Sequence, residues 1–208
     1  MLRLERDRIV YHYDAEELWI EPWGENSLRI RATKNCRMPG ENWALSPDVV
    51  LGCGQDCVPK NDADQGAVRH GKEGVQLGTC TDTELVYMTE QGAELVNGKI
   101  RAVISKYGKL MIYNQHGKVL LEEYWRNRKD LLDPKCSAIE LEGREFMPNK
   151  GGHYHLTMRF ESQDVNEKIY GMGQYQQPCL NLKGMDLELA HRNSQASVPF
   201  YLSSLGYG

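Results

Sequence analysis

The stretch ELVNGKIRAVIS, from Glu94 to Ser105, decides the fold more than any other part of the sequence. Its central pair, Asn97-Gly98, lies between two runs of residues that favour strands. An Asn-Gly pair in that setting is the strongest short-range signal for a β-hairpin. The stretch therefore predicts two antiparallel strands joined by a tight turn.

Alternating polar and apolar residues on both sides of this hairpin predict further strands. In SLRIRAT, from Ser27 to Thr33, Leu28, Ile30 and Ala32 point to one face and the arginines to the other. Further strand-like runs are KLMIYNQHGKVLLEEY (Lys109 to Tyr124, with a loop at Asn114 to Gly117), IEL (Ile139 to Leu141), HYHLTMRFES (His153 to Ser162) and VPFYLSS (Val198 to Ser204).

Evidence for helices is thin. Only LLEEYWRNRKDLL, from Leu120 to Leu132, has the length and the propensity of a helix, and its Tyr124 and Trp125 suit a strand equally well. Many short strands with polar turns and no regular βαβ alternation predict an all-β fold, a large antiparallel β-sandwich.

Composition limits the class of partner. The 208 residues are 40% hydrophobic and include four Trp, eleven Tyr and three Phe, so the chain can bury a core. The formal net charge is -4, and Lys and Arg are scattered, which argues against nucleic acid or an anionic membrane as partner. A neutral or small-molecule partner fits this charge pattern better.

The N-terminal residues and the cysteines predict a cytoplasmic location. The opening MLRLERDRIVYHYDAEELW mixes charges throughout and has no apolar run that would suit a signal peptide or a membrane span. Six cysteines are present, and without a secretion signal they are expected to be free thiols.

The stretch from Pro47 to Gly78 differs from the rest, because it is polar, rich in glycine and almost without apolar periodicity. It predicts a long exposed loop. A loop of that length in a compact domain usually has a function, so it could reach a partner surface.

Three short motifs could carry chemistry, and each also has a simpler interpretation. His153 and His155 share one face of a predicted strand, as a metal pair or an acid/base pair would require, but no third ligand can be placed, and an exposed strand face explains them. Cys53 and Cys57 are separated by three residues rather than by the two of common zinc pairs. No metal site is predicted from either pair.

The third motif, Gly171-Met-Gly173, begins like a dinucleotide fingerprint but has Gln176 where the third glycine belongs. A tight strand connection suits these glycines better, and no cofactor is predicted.

The C-terminal residues, KIYGMGQYQQPCLNLKGMDLELAHRNSQASVPFYLSSLGYG from Lys168 to Gly208, and the opening strands carry a family resemblance. The matching residues near the C-terminus are Tyr170 to Gln174, Leu180-Asn181, Lys183-Gly184, Leu189, Arg192-Asn193, Val198 to Phe200, Ser203-Ser204 and Gly206 to Gly208. Those near the N-terminus are Trp19 to Gly24, Arg29 to Arg31, Met38-Pro39 and Trp43 to Leu45. With these motifs the chain resembles the N-terminal domain of glycoside hydrolase family 31, of the α-xylosidase and α-glucosidase type.

This resemblance implies that residues 1–208 form an N-terminal β-sandwich domain of the galactose mutarotase-like type, in a larger retaining α-glycosidase. In that family the domain packs against a (β/α)₈ barrel, and both catalytic Asp residues lie on the barrel. Retention requires two carboxyl groups roughly 5 to 5.5 Å apart. A barrel needs about 250 further residues, so no catalytic residue is expected in this chain. Its expected partners are its own C-terminal barrel and, in the full-length enzyme, an α-linked oligosaccharide.

The resemblance also suggests candidate substrate-binding residues in the region from Gly171 to Asn193, which could wall one side of the sugar pocket. Gln174, Asn181 and Asn193 have amides suited to sugar hydroxyls, and Arg192 could pair with a barrel carboxylate. In the simpler interpretation these side chains satisfy backbone groups between strands. The chain departs from relatives at Pro178-Cys179, where Gly is usual, and at His191, where Gln is usual.

Two other functions remain open at this stage. A mutarotase-like epimerase would use His153 or His155 with a Glu as acid and base. A stand-alone carbohydrate-binding module would stack sugars on exposed aromatic rings, for which Trp19, Trp23, Trp43 and Trp125 are candidates. A domain separated from its barrel would also expose an apolar patch and could form a homo-oligomer.

Overall fold

The computed structural model describes residues 1–5, 7–40 and 86–208 of the chain. Every regular element within these ranges is a β-strand, and no helix occurs there. The strands are β1 (Leu2–Leu4), β2 (Ile9–Tyr13), β3 (Glu16–Pro22), β4 (Leu28–Lys34), β5 (Val86–Thr89), β6 (Gly92–Asn97), β7 (Ile100–Ser105), β8 (Leu110–Asn114), β9 (Val119–Glu123), β10 (Arg144–Pro148), β11 (Tyr154–Met158), β12 (Phe160–Glu161), β13 (Ile169–Gln174) and β14 (Ala196–Ser203). The predicted loop from Pro47 to Gly78, with Cys53 and Cys57, lies outside the described residues.

Two sheets share one core. The first sheet has the order β1-β2-β3-β4, and the second has the order β12-β9-β8-β7-β6-β5. Their buried residues form a single cluster, with Ile9, Tyr11, Leu18 and Ile20 from the first sheet and Ala93, Leu95, Ala102, Ile104, Leu110 and Ile112 from the second. Each fully buried Leu or Ile contributes about 1.5–3 kcal/mol through loss of water contact. The predicted all-β antiparallel sandwich is confirmed.

The hairpin predicted from ELVNGKIRAVIS is present as β6 and β7, with Asn97 paired to Ile100 across the turn. Gly98 has a φ of 60°, and an added Cβ there would lie 2.2 Å from the Asn26 side-chain oxygen. The Asn97 amide also donates to the backbone oxygens of Gly24 and Ser27, at 2.8 and 2.7 Å. The turn between β6 and β7 is therefore also hydrogen-bonded to the loop between β3 and β4 of the first sheet.

The ambiguous stretch from Leu120 to Leu132 is not a helix. It begins within strand β9, and the residues after Glu123 are irregular apart from one bridge between Arg126 and Leu141. That single bridge is all the pairing of the IEL run, so the prediction of a strand there was wrong. One bridge supplies too few backbone hydrogen bonds to make residues 139–141 a strand.

A buried arginine links several strands of the sandwich. Arg144, in β10, donates to Glu16 at 2.5 Å, to Glu123 and to the backbone oxygen of Gly108 at 3.1 Å. Glu123, which is 1% exposed, also accepts the backbone N–H of Leu110 at 2.9 Å. Buried charges need partners of this kind, because an unpaired charge in the interior is strongly destabilising.

The chain divides into two compact units, residues 1–160 and residues 161–208. Unit 1 contains the sandwich. Unit 2 contains the two-stranded antiparallel ladder of β13 and β14, the segment between them and the short segments that flank the ladder. In the part of the chain that the structure describes, no helix is long and apolar enough to cross a membrane.

Candidate functional site

The ladder of β13 and β14 positions the candidate residues of unit 2. Its register shifts between Gly171 and Gly173, which have φ angles of 103° and 111°. An added Cβ on Gly173 would lie 2.1 Å from the backbone oxygen of Ala196, and one on Gly171 would lie 2.8 Å from that of Phe200. These glycines permit a close approach of two backbones within a strand, as the sequence suggested, rather than a phosphate-binding turn.

Three of the four candidate residues lie at one end of this ladder. Gln174 pairs with Ala196 as the last pair of the ladder. The next pairing outside it is the bridge between Arg192 and Gln195, and Asn193 lies in the turn between those two residues. Gln174, Arg192 and Asn193 are all exposed, so their polar groups are accessible to a ligand.

The Arg192 guanidinium already has a carboxylate partner within the chain, because it donates to Glu188. Both side chains are more than half exposed, so the pair is weak and a stronger partner could replace Glu188. Next to this turn, the ring Nδ1 of His191 accepts the backbone N–H of Ser197 at 3.3 Å.

Asn181 lies at the opposite end of the ladder. Its side-chain oxygen accepts the backbone N–H of Ile169 at 3.0 Å and that of Lys183 at 3.3 Å. Ile169 opens β13, five residues before its end at Gln174, and five residue steps along a strand span roughly 17 Å. Asn181 therefore binds backbone groups, while Gln174, Arg192 and Asn193 lie at the other end of the ladder.

Sequence reasoning missed a buried polar network that holds the end of β14. Glu167 is 4% exposed and accepts hydrogen bonds from the Ser203 hydroxyl at 2.5 Å and the Tyr207 hydroxyl at 2.7 Å. Lys183 lies 3.4 Å from the same carboxylate, and Tyr207 packs edge-on against Tyr201. No local spacing indicates this network, since Glu167 is 36 residues from Ser203.

The network keeps Glu167 ionised. Burial alone would raise the pKa of this carboxyl, but the donors Ser162, Ser203, Tyr207 and Lys183 outweigh burial, and the net pKa is lowered. Burial and the bond to Glu167 raise the pKa of Tyr207. Tyr207 therefore remains a neutral donor to a charged acceptor, which is the stronger type of hydrogen bond.

One face of β14 is apolar and exposed. Val198, Phe200 and Leu202 alternate along the strand and are 50%, 52% and 53% exposed. Tyr170, which pairs with Leu202 in the ladder, is 36% exposed. Large apolar side chains in a contiguous row usually mark a surface that another protein segment covers.

The two histidines singled out in the sequence do not form a catalytic pair. Both are exposed; His153 precedes β11, and His155 lies within it with its ring Nε2 3.1 Å from the Asn149 amide nitrogen. Among the described residues, no group of three or more His, Cys, Asp or Glu is arranged to hold a metal ion.

The described tryptophans have different environments. The guanidinium groups of Arg8 and Arg31 lie over Trp19, 4.0 and 5.0 Å from its ring centroid, and that of Arg29 lies 4.5 Å from the centroid of Trp23. These stacks cover the indole faces with cations, which leaves less of them for a sugar ring. Trp43 lies outside the described residues, and Trp125 lines a cavity in unit 1.

The resemblance read from the sequence is confirmed by comparison with known proteins. No protein-family model matches the chain. A family 31 glucosidase of Pseudescherichia vulneris, itself described as uncharacterized, is 43% identical over 96% of the chain. The crystal structure of a GH31 α-xylosidase from a soil metagenome, complexed with xylose, is 44% identical over 99% of the chain, with a TM-score of 0.77.

The chain corresponds to only part of these relatives. It spans 33% of the glucosidase and 27% of the α-xylosidase. A xylosidase from Aspergillus niger is 21% identical over 95% of the chain, with a TM-score of 0.58, and supports the fold alone. The sandwich is therefore shared with portions of much longer proteins named as glycosidases.

Proposed function

We propose that this chain is the non-catalytic β-sandwich portion of a retaining α-glycosidase of the family 31 type. The observation that carries the proposal is identity of 43–44% over nearly the whole chain, which corresponds to only 33% and 27% of the two relatives. The parent protein would hydrolyse an α-linked xyloside or glucoside with two carboxylates roughly 5 to 5.5 Å apart. Those carboxylates would lie on the parent's catalytic barrel, C-terminal to residues 1–208.

The first role of the chain would be to pack against that barrel. The exposed row of Val198, Phe200 and Leu202 supports this role, because three neighbouring apolar side chains that are each about half exposed gain stability when covered. In the separated chain the same row would favour self-association, so the isolated chain would form a homo-oligomer.

The second role would be to wall one side of the sugar pocket. Gln174, Arg192 and Asn193 support it, since these residues, two with amides and one with a guanidinium, lie at the same end of the ladder and are exposed. Amides both donate to and accept from sugar hydroxyls, and Arg192 would exchange Glu188 for a barrel carboxylate. Asn181 is the least suited of the four candidates, because backbone groups already occupy its side-chain oxygen.

A cytoplasmic location is the remaining part of the proposal. Among the described residues, Cys36, Cys136 and Cys179 are free and exposed, as expected in a reducing compartment. Fractionation of cells that produce the native protein tests this location, which recovery in an extracellular fraction would contradict.

Hydrolysis of chromogenic substrates tests the main proposal. The purified 208-residue chain should release no nitrophenol from p-nitrophenyl α-xyloside or α-glucoside, while the longer parent protein should turn over one of them with retention of configuration. Turnover by the 208-residue chain alone would contradict the proposal. Faster mutarotation of fresh α-glucose in a polarimeter would instead support the epimerase, which the comparisons do not favour.

A further inference from the structure

Unit 1 contains a cavity that has no part in the two proposed roles, which are packing against the barrel and walling the sugar pocket. Its volume is about 480 Å³, and it lies between the turn that joins β7 to β8, strand β9 and the loop at residues 127–136. Pockets that bind small molecules typically have volumes of about 300 to 1,000 Å³. The cavity shares no residue with the region from Gly171 to Asn193.

A fixed network of charges lies along one side of the cavity. The Lys109 ammonium donates to Glu122 at 2.7 Å and to Asp133 at 2.7 Å, and Lys135 donates to the other oxygen of Glu122 at 2.8 Å. The side chains of Lys109 and Glu122 are each 9% exposed. Such groups are already oriented, so a ligand that binds them loses little free energy in ordering the site.

Lys109 and Glu122 remain charged at neutral pH. Burial alone would lower the pKa of Lys109, but its bonds to Asp133 and Glu122 outweigh burial and raise it. Burial would raise the pKa of Glu122, and the bonds from Lys109 and Lys135 lower it instead. The network therefore presents stable donors and acceptors.

Two donors in the cavity have capacity left for a ligand. An ammonium has three N–H groups, and the two bonds of Lys109 use two of them. Asn127 is 8% exposed, and its side-chain oxygen accepts the backbone N–H of Lys129 at 2.9 Å. Its NH₂ group has no hydrogen-bond partner among the described residues. Every fully buried side-chain nitrogen or oxygen in those residues does have a partner, so the NH₂ group is accessible to solvent or ligand.

Aromatic rings complete the lining. Trp125 lines the cavity and its indole offers a flat apolar surface, whereas the Tyr107 ring, which also lines it, already has the Lys106 ammonium 5.1 Å from its centroid. The C–H face of a pyranose packs on such a surface while its hydroxyls bond to polar groups at the edge. An apolar ligand would leave the Lys109 and Asn127 donors without partners, which costs free energy.

Positively and negatively charged side chains line the cavity in equal number. Among the described lining residues, Lys106, Lys109 and Lys135 oppose Glu122, Asp130 and Asp133. A phosphate or another strongly charged ligand would have to compete with these existing ion pairs. We propose that the cavity is a binding site for a neutral sugar, with Trp125 beneath the ring and Lys109 and Asn127 donating to its hydroxyls.

Titration of the 208-residue chain by two-dimensional ¹H–¹⁵N NMR tests this site, with D-xylose, D-glucose and isomaltose as probes and inorganic phosphate as the charged comparison. We expect saturable shifts of the Trp125 indole N–H with at least one sugar and none with phosphate. Trp125→Leu should weaken sugar binding by about tenfold or more. The matched control, Trp23→Leu, alters an indole that does not line the cavity and should bind sugar as the unmodified chain does.

A second variant keeps the test decisive if Trp125→Leu fails to fold. Asn127→Asp keeps the oxygen that accepts from Lys129 and replaces the NH₂ donor with a second, negatively charged acceptor oxygen, so it should fold and bind sugar about three- to tenfold more weakly. Absence of shifts at Trp125, equal binding by Asn127→Asp, or tighter binding of phosphate would overturn the proposal. None of these results bears on whether the parent protein hydrolyses α-glycosides, which the chromogenic assay measures separately.

Discussion

The two units of this chain bury their apolar residues to very different extents, although both are made of antiparallel strands. In unit 1, Leu18, Leu95 and Ile104 are completely buried, because two sheets cover each other's apolar faces. In unit 2, Phe200 and Leu202 lie at equivalent alternating positions of a strand and are about half exposed. The difference shows that alternation defines a face, whereas a second layer is needed to make that face a core.

Buried polar groups, unlike apolar ones, are treated alike in the two units. Unit 1 buries Arg144 and Glu123 within its sandwich, and unit 2 buries Glu167 beneath two hydroxyls. No buried side-chain nitrogen or oxygen is unsatisfied in the residues that the structure describes. Both units therefore satisfy their buried polar groups internally, and the row on β14 is the feature that calls for an outside partner. Four substitutions test this contrast.

The largest loss should follow removal of the buried cation in unit 1. Arg144→Leu leaves Glu123 buried without its ion-pair partner and also removes the bonds to Glu16 and Gly108. We expect the free energy of unfolding to fall by about 3–5 kcal/mol, measured by urea denaturation. The double variant Arg144→Leu/Glu123→Leu should recover part of the loss; a double variant less stable than the single one would argue against an unpaired charge as the cause.

The next largest effect should come from the apolar core of unit 1. Leu95 is completely buried in β6, so Leu95→Ala should lower the free energy of unfolding by about 2–5 kcal/mol through lost burial and a residual cavity. Urea denaturation followed by tryptophan fluorescence measures the loss. The matched control is Leu202→Ala on β14, which should cost far less in the separated chain because Leu202 is 53% exposed. Equal costs would remove the contrast between the two units.

Local sequence signals predicted the sandwich well, because each depends on residues close together in the chain. Paired strands lie where three of these signals predicted them: on both sides of the Asn97-Gly98 turn, in SLRIRAT, and in the run from Lys109 to Tyr124. The IEL run failed for the same reason: three apolar and acidic residues can look like a strand, but Leu141 found only one bridging partner.

The candidate site was predicted less completely, because it depends on long-range placement. The sequence placed Gln174, Asn181, Arg192 and Asn193 in one region, but the ladder separates Asn181 from the other three. The network of Glu167 and the cavity beside Trp125 have no local pattern. Lys109 and Asp133 are 24 residues apart and meet only because the loop after β9 folds back.

An intermediate effect, with a defined pH dependence, should follow Glu167→Gln in unit 2. The folded pKa of Glu167 is below its usual value of 4.5, so its ionised form contributes stability above that value, which is lost as pH falls through the folded pKa. We expect the substitution to destabilise unit 2 by about 1–3 kcal/mol at neutral pH and to flatten the acid limb of its stability curve.

Hydrogen exchange at the amides of β13 and β14, followed between neutral pH and pH of about 3, measures this change directly. Glu188→Gln is the matched control, because Glu188 and its partner Arg192 are both exposed, and it should leave both the stability and its pH dependence almost unchanged. An unaltered acid limb in Glu167→Gln would show that other carboxyl groups govern the acid transition.

The smallest effect on stability should come from Phe200→Ser, on the exposed row of β14. Because Phe200 is 52% exposed, its replacement should change amide protection in unit 2 by no more than about 0.5 kcal/mol. The same substitution should reduce self-association of the separated chain, measured by sedimentation velocity, because it removes the largest apolar side chain of the row. In the longer parent protein, by contrast, we expect Phe200→Ser to be clearly destabilising, because the barrel is proposed to cover the Phe200 ring there. A substitution that is silent in both forms would show that the row covers nothing, and the proposed docking of β14 on the barrel would then have to be abandoned.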